Sequence, residues 1–205
     1  MTRKKSEQEK FWGGAFGDDY TDRNRGDAML ASNLDFFSDV FSRTQGLASI
    51  VELGANRGMN LRAIRALAPA AELHAVEINK KAAAHLQEVR DVEVTVGSII
   101  DYEPGREFDL SFTKGVLIHI APELLSKAYE VLYRCSRKYV LIAEYYNPTP
   151  VELSYRGHQG RLFKRDFAGE MMDMFGNLEL VGYGYRYRRD PVFPQDDITW
   201  FLLRK

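Results

Sequence analysis

The stretch Val51-Glu52-Leu53-Gly54-Ala55-Asn56-Arg57-Gly58 decides how this chain is read. A short apolar strand, Ser49-Ile50-Val51-Glu52-Leu53, ends at glycine. Leu61, Ile64 and Leu67 then recur at helical spacing up to Pro69. The order is strand, turn, helix. Gly54 allows a tight bend and close approach of a ligand to the backbone, and Gly58 is expected to let the helix pack close to the strand. The dinucleotide fingerprint G-x-G-x-x-G is not met, because Asn56 stands where its middle glycine would be. The loop therefore suits a nucleoside without a bridging phosphate. A little over twenty residues past Gly54, the strand Leu73-His74-Ala75-Val76-Glu77 ends in an acid. Both oxygens of a carboxylate accept, so Glu77 can take both hydroxyls of a ribose.

Outward from this centre the pattern repeats. Asn79 is a good N-cap for a helix running to about Val89. Val92 to Val96 and Phe108 to Thr113 read as further strands, and Pro122 starts a helix with Leu124, Ala128, Val131 and Leu132 inward. Tyr139 to Ala143 is the most apolar strand and is expected to be central. Asp166 to Phe175 reads as a short helix, and Leu178 to Tyr187 with Ile198 to Leu203 as a closing pair of strands. Upstream, Asp27 to Arg43 is an amphipathic helix with Leu30, Leu34, Phe37 and Phe41 on one face. Alternating strands and helices predict an α/β fold with a mainly parallel sheet, helices on both faces and ligands at the carboxyl edge of the strands. A chain of 205 residues suits one such domain, residues 27–205, preceded by a segment 1–26. In that segment Trp12, Phe16 and Tyr20 lie among glycines, a composition unlike a disordered tail. It reads either as a lid or as a tail packed on the domain.

Gly97-Ser98-Ile99 closes the third strand, where Ser98 can meet an adenine edge and Ile99 its ring, or simply form a turn. Glu52-x-Gly54-x-x-x-Gly58 with Glu77, Ser98 and Phe108-Asp109-Leu110 resembles the motif series of class I S-adenosylmethionine-dependent methyltransferases. The resemblance covers residues 45–145. It implies a Rossmann-like sheet of seven strands with an antiparallel last strand, and S-adenosylmethionine as cofactor. It also implies a cofactor site made of Glu52, Gly54, Asn56, Gly58, Glu77, Ile78, Gly97, Ser98, Ile99, Thr113 and Lys114. Gly54 and Gly58 would line the methionine and ribose, Glu77 would hold the ribose, and Ser98 and Ile99 would flank the adenine. Where many members carry Asp, this chain has Ser98.

Three further segments carry a narrower resemblance across almost the whole chain. They are Glu7-Gln8-Glu9-Lys10-Phe11-Trp12 through Phe16-Gly17-Asp18-Asp19-Tyr20, Tyr145-Tyr146-Asn147-Pro148-Thr149-Pro150, and Tyr155-Arg156-Gly157-His158 through Leu162-Phe163-Lys164-Arg165-Asp166-Phe167-Ala168-Gly169-Glu170. Together they resemble the methylases associated with pseudaminic acid biosynthesis. That likeness implies O-methylation of an acidic nonulosonic sugar, its nucleotide form or a precursor.

Methyl transfer from a sulfonium needs its reactants held in line, worth about 7–11 kcal/mol in effective concentration. A hydroxyl acceptor also benefits from a base, worth about 10²–10⁴ in rate. Candidate bases are His158, His119 and Glu144, with His158 placed slightly ahead of His119; His119 reads more readily as a packed structural residue. A long loop, 147–165, holds two prolines and two glycines together with Arg156, Arg161, Lys164 and Arg165. Those cations can grip a carboxylate or phosphate, or form a solvated basic face. Tyr145 and Tyr146 can wall an acceptor pocket or pack in the core. On the lid reading Phe16 or Tyr20 covers the cofactor and Arg25 reaches its methionine carboxylate.

The formal net charge of -1 argues against bulk nucleic-acid binding. The single cysteine, Cys135, is expected to be a buried inert thiol. Met1 to Lys10 is charged and unlike a signal peptide, no apolar run approaches membrane-span length, and no metal-ligand spacing is seen; a cytoplasmic enzyme without metal is the expectation. Two rivals share the architecture: an NAD(P) oxidoreductase, and a non-catalytic cofactor-binding regulator of a glycan-assembly enzyme. A methyltransferase for another small amine or acid is a third. Oligomeric state is not readable.

Overall fold

β1 (Ser49–Leu53) is buried along its whole length, as expected of a parallel strand covered on both faces. The computed structural model describes residues 3–23 and 26–205. After β1 come α4 (Met59–Leu67), β2 (Glu72–Glu77), α5 (Lys80–Leu86), β3 (Val92–Val96), β4 (Phe108–Lys114), α6 (Leu125–Cys135) and β5 (Ser136–Glu144). Before it lie α1 (Glu7–Trp12), α2 (Ala15–Arg23) and α3 (Asp27–Phe41). The chain finishes with β6 (Val151–Tyr155), β7 (His158–Lys164), α7 (Phe167–Met174), β8 (Glu179–Arg186) and β9 (Ile198–Arg204).

Seven strands form one sheet in the order β3-β2-β1-β4-β5-β9-β8. β1 to β5 are mutually parallel, and β9 runs antiparallel to both its neighbours. This is the Rossmann-like class I methyltransferase fold. β5 is interior, between β4 and β9, while β4 takes the middle place. Strand order reverses between β1 and β4, so their carboxyl ends open a crevice. Alternate residues divide the core. Ile50, Leu110, Phe112, Leu141 and Ala143 pack with α3 and α4 on one face, and Val51, Leu53, Val140 and Ile142 pack with α6 and α7 on the other. Each such side chain contributes about 1.5–3 kcal/mol by leaving water.

The opposite end of the sheet is tied by a buried acid. Asp109 accepts from the amides of Ala48 and Ser49 at 2.8 and 3.1 Å and pairs with Arg137 and Lys138 at 2.8 and 3.0 Å. Burial alone would raise its pKa, but these bonds hold it well below the usual carboxylate range. Cys135 is buried, and the same burial pushes its thiol up to about 12.

Four expectations need correction. The stretch 147–165 is not an irregular loop: β6 and β7 pair antiparallel through a two-residue turn, Arg156-Gly157, in which both residues have positive φ (49° and 84°). Leu162 and Phe163 of β7 are buried, which anchors the ribbon on the domain. α3 turns a different face inward: Phe36, Phe37 and Val40 are fully buried, and Leu30, Leu34 and Phe41 only in part. Gly58 serves a helix–helix contact. A Cβ there would lie 2.7 Å from Leu86 and 2.9 Å from Val89, so the glycine lets α4 begin against α5 and the segment following it. Finally, the turn-rich N-terminal stretch is two helices. α1 starts at a capping box, with Ser6 and Glu9 each bonding the other's backbone.

Candidate active site

The carboxyl ends of β1 to β5 converge on one cavity of about 580 Å³. Glu77, at the tip of β2, is buried and fixed by two backbone amides: Oε2 accepts from Asn56 at 2.6 Å and Oε1 from Asn79 at 2.7 Å. Burial lifts its pKa above the ordinary carboxylate range, against those same amide bonds. Each oxygen keeps a lone-pair direction for a ligand donor. Across from it the chain bends at Gly54 (φ 83°), where a Cβ would lie 2.6 Å from Val116. The amides of Gly54 and Ala55 both donate to the Val76 carbonyl, that of Asn56 to Glu77, and that of Gly58 to Ala55. Those four N–H groups are consumed within the protein, so they cannot form the amide cradle a pyrophosphate requires.

Gly54, Asn56, Glu77, Ile78, Ser98, Ile99 and Lys114 line the cavity, joined by Tyr20, His119 and Tyr145. The other candidates stand behind or beside it. Glu52 is buried under the bend, with Oε1 accepting from Asn60 at 2.6 Å and Oε2 without a partner. Burial pushes its pKa up to about 8, opposed by the Asn60 bond and the charge of Lys114. Gly97 donates its amide to the Glu77 carbonyl, and Thr113 is buried in β4 beside Glu144. Arg25 lies outside the described residues.

Ser98 is spoken for. Its hydroxyl oxygen accepts from Ile100 at 3.2 Å, and its side chain helps to lower the pKa of Glu9. Glu9 comes from α1, lines the same cavity and is pinned by both Arg3 nitrogens. Burial alone would raise its pKa; the Arg3 and Ser98 side chains outweigh that and hold it at about 2. α1 and α2 thus close one side of the cavity. Asn79 strengthens the closure by donating to the Trp12 carbonyl at 3.2 Å and to Asp18 at 2.8 Å. Phe16 is stacked on Phe11 at 4.1 Å between ring centroids and is not on the cavity wall.

The three candidate bases separate. Glu144 spends its carboxylate on the backbone, accepting from Val116, Leu117 and Ile118 at 2.9 to 3.4 Å. Burial pushes it up to about 7 despite those bonds, and it stands outside the cavity wall as a clamp on the turn that follows β4. His158 is exposed on the hairpin, against the rings of Phe11 and Phe16 at 5.0 and 5.7 Å, not on the cavity wall. His119 does line the cavity. Its Nδ1 lies 2.5 Å from the Arg161 carbonyl, so Nδ1 carries the proton and Nε2 the free lone pair. Burial lowers its pKa to about 4. The order expected between the two histidines is therefore reversed.

The basic cluster also stands back. Arg156 lies over Tyr155 and Arg161 over Phe11 at 5.7 and 5.1 Å from ring centre. Lys164 lies 5.2 Å from the centre of the Tyr145 ring, and Arg165 pairs with Glu170 at 2.6 Å. Tyr146 is largely exposed and bridges to Arg165. Arg156, Arg161, Lys164 and Arg165 are thus engaged with rings and a carboxylate and are absent from the cavity lining. The cavity wall instead recruits residues that sequence reading passed over: Trp12, Tyr155, Asn33, Asn60, Arg188 and Gln195. Trp12 and Tyr155 lie in segments the sequence had singled out; no local signal marks Asn33, Asn60, Arg188 or Gln195 as wall residues.

No family model matches this sequence, and no curated protein matches it. Solved structures do. The 1,6-didemethyltoxoflavin-N1-methyltransferase of Burkholderia thailandensis, with bound 1,6-didemethyltoxoflavin and S-adenosylhomocysteine, superposes at a TM-score of 0.72 with 12% identity, over 100% of this chain and 93% of that one. Magnesium protoporphyrin IX methyltransferase of Synechocystis PCC 6803 with bound SAH gives 0.69 at 12% identity, over 96% and 97%. DesVI of Streptomyces venezuelae gives 0.64 at 14%, over 93% and 98%. At such identities the likeness establishes the fold.

Proposed function

We propose that this chain transfers a methyl group from S-adenosylmethionine to a small polar acceptor, and that the acceptor is an acidic nonulosonic sugar, its nucleotide form or a precursor, methylated on oxygen. The observation that carries the cofactor reading is Glu77: a buried carboxylate, oriented by two backbone amides, on the wall of a nucleoside-sized cavity opposite a glycine bend. Three buried atoms of cavity-lining residues, Trp12 Nε1, Asn56 Oδ1 and Gln195 Oε1, have no partner among the described residues. They fit a polar ligand there, since a buried unpaired polar atom is costly. The consumed amides of the Gly54 loop favour an adenosyl sulfonium over a dinucleotide. Two solved neighbours of this fold were crystallised with S-adenosylhomocysteine.

On this reading Glu77 holds the ribose, Ile78 and Ile99 sandwich the base, and the Glu9–Ser98 pair closes the adenine edge. Glu52 and Asn60 stand beneath the methionine tail. The cofactor, when bound, supplies an electrophilic methyl group on sulfur. The protein's part is then positioning, and exclusion of water by α1 and α2 acting as a lid. His119, neutral with Nε2 unprotonated, can accept the proton that a hydroxyl acceptor loses. The acidic-sugar reading is supported by the resemblance of the N-terminal and hairpin segments, and by Lys114 and Arg188 on the cavity wall.

Titration calorimetry with S-adenosylhomocysteine and with NAD tests the first part: tight binding of the former alone supports it, and tight binding of NAD alone ends it. Mass spectrometry for a +methyl product from sialic-type sugars and their nucleotide forms tests the second. Bound cofactor with a methylated amine or simple acid as the sole product would move the acceptor to that class. Bound cofactor with no product from any source would favour a regulator.

A further inference from the structure

The cavity continues past the glycine bend to a wall made by α3 and by residues 187–197, the connection between β8 and β9. Adjacent buried residues of α3 anchor two side chains there. Gln195 donates its amide to the Ser32 carbonyl at 2.7 Å. It is 8% exposed, lines the cavity, and its Oε1 has no partner among the described residues. One residue along, Asn33 Oδ1 accepts from Lys114 Nζ at 3.3 Å. The ammonium has three donors and this bond uses one.

An acceptor and a donor therefore stand on one cavity wall, each fixed by a neighbouring position of one helix. An aldehyde or ether oxygen would serve Lys114 and leave Gln195 unpaired. A protonated amine would serve Gln195 but, having no lone pair, would leave the free donors of Lys114 unused. A hydroxyl serves both, accepting from the ammonium and giving its own hydrogen to Oε1. A hydroxyl so engaged gives its hydrogen to an amide oxygen, which is no base, so it positions a neighbouring hydroxyl for reaction. We infer that Gln195 and Lys114 are the specificity pair of the acceptor site and that they select a polyol by a hydroxyl adjacent to the one methylated. The inference rests on the methyl-transfer reading above and adds the chemistry by which the acceptor is chosen. Sites built to hydrogen-bond a hydroxyl reject analogues lacking it strongly, because the protein groups are then left unpaired.

The experiment uses the full chain saturated with S-adenosylhomocysteine and N-acetylneuraminic acid as the polyol probe, read by saturation-transfer NMR and calorimetry. Wild type should bind the probe and not its per-O-acetylated derivative. Gln195→Leu should bind it at least about tenfold more weakly, with the Kd for S-adenosylhomocysteine unchanged. Equal binding by Gln195→Leu, equal binding of the blocked derivative, or no probe binding by the loaded wild type would overturn the inference. Should Gln195→Leu fold poorly, the comparison of free and blocked probe on wild type decides by itself. Failure of wild type to bind S-adenosylhomocysteine would instead remove the methyl-transfer reading, and this inference with it.

Discussion

Replacing Glu77 by glutamine should weaken S-adenosylhomocysteine in a way that depends on the ribose. The carboxylate takes Asn56 N on one oxygen and Asn79 N on the other, at 2.6 and 2.7 Å. Glutamine has one oxygen and one NH₂, so in either orientation one backbone amide faces a donor and one ligand hydroxyl loses its acceptor. A hydrogen bond to a charged group is worth about 1.5–3 kcal/mol, so the hydroxyl alone predicts roughly a 10- to 150-fold rise in Kd. The amide mismatch also disturbs the Gly54 loop, so the raw loss overstates the ribose contact. A cycle with the 2′-deoxy analogue of the ligand isolates it: wild type should discriminate strongly between the two ligands, and Glu77→Gln should lose most of that discrimination. Calorimetry gives the four affinities and circular dichroism confirms the fold. If the variant discriminates as strongly as wild type, Glu77 does not hold the ribose and the cofactor reading loses its principal support.

Gly58→Ala places a β-carbon 2.7 Å from Leu86 at a φ of 82°; strain and overpacking together should cost about 2–4 kcal/mol, a Tm loss of roughly 4–16 °C by calorimetry. Asp109 has a depressed folded pKa, so its stabilisation is present above the unfolded value near 4 and lost as pH falls below it; Asp109→Asn should be less stable at pH 7 by about 1–3 kcal/mol and show a flatter acid limb in denaturant melts. His119→Phe should lower kcat with the affinity for S-adenosylhomocysteine retained, whereas His158→Ala should stay within about threefold of wild type. Because burial holds His119 near 4, its titration should leave no inflection in kcat between pH 5.5 and 8; a His119-dependent step there would contradict its placement. Glu144→Ala removes the acceptor of the Val116, Leu117 and Ile118 amides and should appear first as a lower Tm.

The sequence alone determined the parallel α/β order, the turn at Gly54 and the acid ending β2, because each rests on local chemistry. Apolar runs make strands, helical spacing makes helices, and a bend at positive φ requires glycine. It also exposed Asn56 in place of a middle glycine, and the structure adds the reason that matters: the loop's amides are used up inside the protein. What only the tertiary structure decided is which polar groups share the cavity. Ser32, Asn33 and Gln195 lie more than 160 residues apart at the extremes, and Gln195 reaches the cavity through its bond to the Ser32 carbonyl. Glu9 likewise meets Ser98 by folding of α1 across the sheet edge. The basic hairpin misled for the same reason. Charge density along a chain does not say where side chains point, and these cations were drawn to nearby rings and carboxylates while an uncharged amide lined the wall.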